Sequence, residues 1–135
     1  MKGNTMAQDK SRVAVFIDPQ NMFMPIEGMP LPVAGADQDM IRAAEYLITS
    51  PCRYDAIFVT LDTHPADHIA HPVRWVNEQG KNPDPFTLIT AADYEAGLYR
   101  AADPKDEAVQ AWYLPQLEAT GRVHTIWPPH GEKYT

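Results

Sequence analysis

The sequence predicts an α/β protein built on a parallel sheet, and three observations carry that expectation. Two apolar runs, Arg12–Asp18 and Ala56–Leu61, have β-branched and aromatic residues on both parities, the pattern of strands buried on both faces. Between them Met40, Ile41, Ala44, Leu47 and Ile48 recur at helical spacing. Strand, helix, strand in that order is a βαβ unit, and ligands of such sheets bind outside the carboxyl ends of the strands.

Taken in order, the first strand is expected to end at Asp18 and to give way to a turn-rich stretch from Pro19 to Gly35, with Pro25, Pro30 and Pro32. Asp37 and Asp39 stand in the first turn of the helix, where carboxylates suit the helix dipole, and Pro51 closes it. The second strand ends at Asp62. From His71 to Asp103 the pattern weakens around Pro72, Pro83 and Pro85, which reads as a lid or binding loop. Within it, Thr90 and Asp93 form the start of a capping box for a short helix that stops near Gly97. Asp103 then caps a helix with Pro104 at its first position, running through Val109, Trp112, Tyr113 and Leu117 to Gly121. Pro115 is expected to kink or shorten it. Val123–Trp127 reads as a third strand, followed by a tail from Pro128 to Thr135.

A chain of 135 residues fits one domain. Its 44% apolar and 21% charged residues are an ordinary globular mix that can bury a core. The net charge of -7 argues against nucleic acid and anionic membranes, since an acidic surface repels phosphates. A small neutral or cationic molecule fits better. Cys52 is the one cysteine, so no internal disulfide forms and a reducing, cytoplasmic setting is expected. The polar first ten residues lack a secretory core and are expected to be flexible, and no run approaches a membrane span.

Chemistry concentrates in Asp62-Thr63-His64-Pro65-Ala66-Asp67-His68, directly after the second strand. A carboxylate and two imidazoles supply the oxygen and nitrogen donors that zinc, manganese or iron accept, although a polar loop with surface histidines has the same composition. His130 joins them if the third strand ends at the same edge. Asp18 shares the layer of Asp62 and precedes Gln20 and Asn21, whose amides are placed to bond a ligand or each other. Asp18 reads equally as a turn-initiating residue. Phe23 and Trp127 could line a pocket, yet on residue type alone both read as core. Cys52 precedes the second strand, roughly 17–20 Å from the Asp18 and Asp62 edge, and reads as structural. The absence of a glycine-rich phosphate loop and of a serine elbow excludes nucleotide binding and serine hydrolysis.

Four segments taken together resemble the isochorismatase-like cysteine hydrolases, and within them the nicotinamidases. These are Val15-Phe-Ile-Asp18-Pro-Gln20-Asn-Met-Phe23, Leu31-Pro-Val-Ala-Gly-Ala-Asp37, Thr60-Leu-Asp62-Thr-His64-Pro-Ala-Asp-His68 and Ile126-Trp-Pro-Pro-His130. The resemblance covers most of the chain, with about residues 73–121 reading as an insertion. It implies a three-layer, Rossmann-like α/β fold and hydrolysis of nicotinamide or a related small carboxamide to the acid and ammonia. It further implies Asp18 as the aspartate of an Asp-Lys-Cys triad, and Asp62, His64 and His130 as ligands of a divalent metal. Zinc is the first candidate for that ion, with manganese and iron behind it. His68 would be an additional ligand or a neighbour of the ligands, and Phe23 and Trp127 pocket aromatics that hold a pyridine ring. In such enzymes a thiolate attacks the amide carbon and water then hydrolyses the thioester, with backbone amides stabilising the oxyanion.

The resemblance stops after His130. Gly131 stands where the family places a cysteine, Lys133 is too near His130 to be the triad lysine, and the triad cysteine has no counterpart. The expectation is therefore residues 11–135 as the amino-terminal portion of such a hydrolase, incomplete at its carboxyl end and inactive as an amidase by itself. Open sheet edges and apolar faces would leave it marginally soluble, or dependent on a second copy or a complementing chain. A metal-binding or interaction module without catalysis is the alternative. A zinc-water hydrolase with Asp18 as base ranks below both.

Overall fold

The computed structural model describes residues 11–50 and 54–131. Pro51, Cys52, Lys133 and the first ten residues, on which several expectations fall, lie outside the described residues. The βαβ unit is present. Strand β1 (Val13–Phe16) and strand β2 (Ala56–Val59) pair in parallel, Val13 opposite Ala56 and Phe16 opposite Val59, with helix α1 (Ala36–Thr49) between them in sequence. Asp37 and Asp39 occupy the first turn of α1 as the dipole argument requires.

The burial of this unit departs from expectation. Both runs were expected to be covered on both faces, whereas Val15 is 58% exposed, Ile17 75% and Phe58 58%. The sheet has two strands, and α1 contributes no buried residue. A two-stranded parallel ribbon with one partly packed helix has too few neighbours to cover two faces.

The core lies instead in the stretch read as an insertion. Strand β3 (Trp75–Asn77) pairs antiparallel with β5 (Tyr99–Ala101), and β4 (Leu88–Ile89) pairs antiparallel with β6 (His124–Thr125). Trp75, Ile89, Leu114 and Ile126 pack into one buried cluster with Tyr94, Tyr99 and Tyr113 against it. Each fully buried side chain of this size stabilises by roughly 1.5–3 kcal/mol through removal of apolar surface from water. Trp75 and Ile89, from the stretch read as a lid or binding loop, thus join Leu114 of the expected helix and Ile126 of the expected third strand in the buried cluster among the described residues.

The third strand is corrected as well. β6 belongs to an antiparallel pair and not to the β1–β2 sheet. Its alternation explains why: His124 and Ile126 face inward while Trp127 faces out, and Ile126 exchanges backbone hydrogen bonds with Phe86 and Thr87.

Helix signals fared better. Helix α2 (Ala91–Glu95) carries the reciprocal capping box, Thr90 accepting from the Asp93 N–H and Asp93 accepting from the Thr90 N–H. Gly97 follows at φ 77, a left-handed turn that glycine adopts without strain. Asp103 accepts from the Lys105 N–H and caps a 3-10 turn, Pro104–Asp106, that leads into helix α3 (Glu107–Ala119). Pro115 lies inside α3, so the helix continues past it although proline offers the Ala111 carbonyl no N–H. Among the described residues no helix is long and apolar enough to cross a membrane.

Candidate metal centre

The carboxyl ends of β1 and β2 are joined by side chains before any ligand is considered. Beyond β1, Asp18 takes the left-handed conformation, φ 51, which is uncommon outside glycine and costs energy unless its surroundings hold it. Thr60, just past β2, holds it from both sides: its hydroxyl accepts from the Asp18 N–H at 3.1 Å and donates to the Asp18 carboxylate at 2.7 Å. Two residues on, Gln20 is 3% exposed and spends its amide on the Asp62 backbone, donating to the carbonyl at 3.0 Å and accepting from the N–H at 2.5 Å. Gln20 is therefore a positioning residue for Asp62, and neither expected partner, a ligand or Asn21, takes its amide.

Asp62, His64 and His130 form a cluster able to hold a metal ion, with one ligand atom from each within 4.8 Å of the others. His64 Nδ1 stands 3.1 Å from one carboxylate oxygen of Asp62, and His130 Nε2 stands 3.4 Å from the other. His130 Nδ1 lies 2.7 Å from the Pro128 carbonyl, which only accepts, so Nδ1 carries a proton and Nε2 is the nitrogen turned toward Asp62. His64 Nδ1 is buried and, despite its closeness to Asp62, makes no hydrogen bond. Two imidazole nitrogens and a carboxylate converging at such distances form a site that a cation placed between them satisfies. The donor set, one carboxylate and two imidazoles, fits a divalent ion of the zinc, manganese or iron type.

The segment that brings His130 here is β6 and its continuation. The Trp127 N–H donates to the Ala70 carbonyl at 2.8 Å, tying it to the loop after β2. The next tie is closer. Gly131 has φ 102, its N–H meets the Met22 sulfur at 3.4 Å, and a Cβ placed on it would stand 2.6 Å from the His64 backbone nitrogen. Only glycine allows that approach, so the cysteine found here in the proteins whose segments this chain resembles is incompatible with the present backbone.

A cavity of about 320 Å³ opens onto the cluster, lined by Phe23, Leu31, Asp62, His64, His68, Ala70, Trp127 and His130. Phe23 and Trp127, read as core on residue type alone, face this cavity, and Trp127 is 41% exposed. Phe23 is placed by a 3-10 turn (Asn21–Phe23) anchored on buried Met22. Asp18 does not line the cavity; it stands beside Thr60.

His68 lines the cavity but is not in the three-residue cluster. Its Nδ1 accepts from the Ala70 N–H at 3.2 Å, so in the neutral ring the proton sits on Nε2. Burial, and then the neighbouring His64, His71 and His130, hold its pKa below the usual histidine value. His71, which sequence reasoning passed over, is 1% exposed and stacks between His68 and His130 with ring centres 5.6 and 5.2 Å away. A histidine three residues after His68 was the available signal.

No family model, curated protein or solved structure matches this chain.

Proposed function

We propose that these residues form the metal and carboxamide-binding site of a nicotinamidase-like amidohydrolase, whose reaction converts a small carboxamide and water to the carboxylic acid and ammonia. The observation that carries the reading is the shared cavity: the Asp62, His64 and His130 donors and the Phe23 and Trp127 rings open onto one space. A flat heteroaromatic amide has both things such a cavity offers, a ring to lie against aromatic side chains and a nitrogen lone pair for a metal.

Zinc is the ion we assign to the Asp62, His64 and His130 donors, and when bound it would supply Lewis acidity toward the ligand. The chain's own residues do the rest. Gln20 fixes the Asp62 backbone, Pro128 engages His130 Nδ1, and Thr60 holds the Asp18 carboxylate beyond β1, outside the cavity lining, where in this reading it would serve the thiol that the cavity residues lack. His68 presents an Nε2–H to the cavity, suited to a carbonyl or carboxylate oxygen of the ligand.

A second reading, a metal-binding module without hydrolysis, is favoured by one observation: no cysteine stands at the cavity among the described residues. Titration calorimetry with nicotinamide and with benzamide, which lacks the ring nitrogen, tests the proposal on zinc-loaded protein. Binding of nicotinamide at least tenfold tighter than benzamide, abolished by chelation, is expected; equal or absent binding of the two contradicts it. Ammonia release separates the two readings only once a carboxyl-terminal segment with a lysine and a thiol is supplied: release is then expected under the first reading and not under the second.

A further inference from the structure

We propose that His71, and not His68, is a further protein ligand of the metal centre, giving an Asp62, His64, His71 and His130 donor set. The inference rests on the metal-centre reading above and extends it. His71 Nδ1 lies 3.1 Å from the Ala66 carbonyl, an acceptor only, so Nδ1 carries the proton and Nε2 carries a lone pair. That Nε2 is buried and has no hydrogen-bond partner. A buried imidazole nitrogen left without a partner is destabilising, and the His71 ring lies 5.2 Å, centre to centre, from that of His130.

His71 and His130 are built alike. Each has Nδ1 against a backbone carbonyl, which is the arrangement that orients metal-bound histidines; Nε2 of His130 turns toward Asp62, and Nε2 of His71 has no partner. His68 is built the other way, its Nδ1 engaged by the Ala70 N–H and its Nε2 protonated, so it has no free lone pair for an ion. Ring spacing agrees. Imidazoles bound to one tetrahedral ion at about 2.0–2.1 Å stand with ring centres roughly 5 Å apart. The observed separations are 4.6 Å for His64 and His130, 5.2 Å for His71 and His130, and 6.0 Å for His64 and His71. Since the tight cluster holds Asp62, His64 and His130 without His71, a modest inward turn of His71 must accompany binding.

Two consequences follow. Four protein donors fill a tetrahedral ion, so an incoming ligand requires five-coordination, which zinc, manganese and iron reach. His71 also begins the 3-10 turn, Pro72–Arg74, that enters β3 and the core residue Trp75. A metal held there links the β1–β2 unit to the packed half of the chain.

Zinc K-edge absorption on the zinc-loaded chain tests this by counting imidazoles. Three are expected in the wild type and in His68→Ala, and two in His71→Ala. Zinc affinity is expected to fall about 100-fold or more in His71→Ala, beyond the effect of a residue that merely orients a ligand, and less than about threefold in His68→Ala. Two imidazoles in the wild type would overturn the assignment while leaving the Asp62, His64 and His130 centre standing. Three that drop to two in His68→Ala but not in His71→Ala would overturn it also. If His71→Ala fails to fold, the wild type and His68→Ala still decide the matter. A chain that takes up no zinc overturns the metal-centre reading itself, an outcome distinct from a low imidazole count.

Discussion

Gln20 and Asp62 exchange two hydrogen bonds across the ends of the parallel strands, side-chain amide to backbone amide, at 3.0 and 2.5 Å. The contact makes the turn after β1 a brace for the metal-ligand loop after β2. Gln20→Leu leaves the Asp62 N–H and carbonyl unpaired in a partly buried place, a loss of about 1–3 kcal/mol. Zinc affinity is expected to fall on the order of tenfold with it, the usual effect of removing a group that orients a ligand. Chemical denaturation and a zinc competition titration measure the two effects; an unchanged zinc affinity would show that Asp62 needs no brace.

Gly131 presses on His64. Gly131→Ala places a methyl group 2.6 Å from the His64 backbone nitrogen at a φ of 102, where side chains are strained in any case. The expected loss is about 1–3 kcal/mol from the backbone alone, with weaker zinc binding as His64 is pushed away. Equal stability and equal zinc affinity in the variant would mean that the two segments do not meet as described.

Acid sensitivity is expected from His124. Burial, with a smaller contribution from His68, lowers its pKa from 6.5 to about 4. Between those values the unfolded chain binds a proton that the folded chain refuses, so stability is unaffected above pH 6.5 and falls as pH drops toward 4. The full effect is of the order of 3 kcal/mol. Denaturation of metal-free protein at several pH values measures the slope, and His124→Gln is expected to flatten it. A wild-type slope that survives the substitution would assign the acid sensitivity to other groups.

The βαβ unit, the α2 capping box and the Asp103 cap were legible because each is written in local chemistry: a run of apolar residues, a Thr-x-x-Asp spacing, a proline after an acidic cap. Asp62 and His64 were legible for the same reason, standing two apart in one loop. The core was not. Trp75, Ile89 and Ile126 come from short segments among prolines and pack on Leu114 of α3, and strands of two or three residues, such as β3, β4 and β6, are too brief to display a period. The partners of Gln20 and His71 were not legible, since they are backbone groups of Asp62 and Ala66 that leave no trace in residue type; the spacing of His71 from His68 was the one sign that it belongs with the cluster.

Placing the core in β3–β6 and α3 has a direct test. Leu114→Ala is expected to cost about 2–5 kcal/mol, whereas Val15→Ala, on the open β1 face, is expected to stay within about 0.5 kcal/mol. Denaturation curves for the two variants compare them. The reverse order would relocate the core to the parallel strands.

Asp62, His64 and His130, which line the cavity with Phe23 and Trp127, are proposed to hold one divalent ion. Equilibrium dialysis against zinc, with metal content measured for the wild type, Asp62→Asn, His64→Ala and His130→Ala, tests it most directly. One zinc per wild-type chain, reduced at least tenfold in affinity by each substitution while the variants stay folded, is the predicted result. A wild-type chain that retains no zinc, or one whose zinc survives all three substitutions, would contradict it.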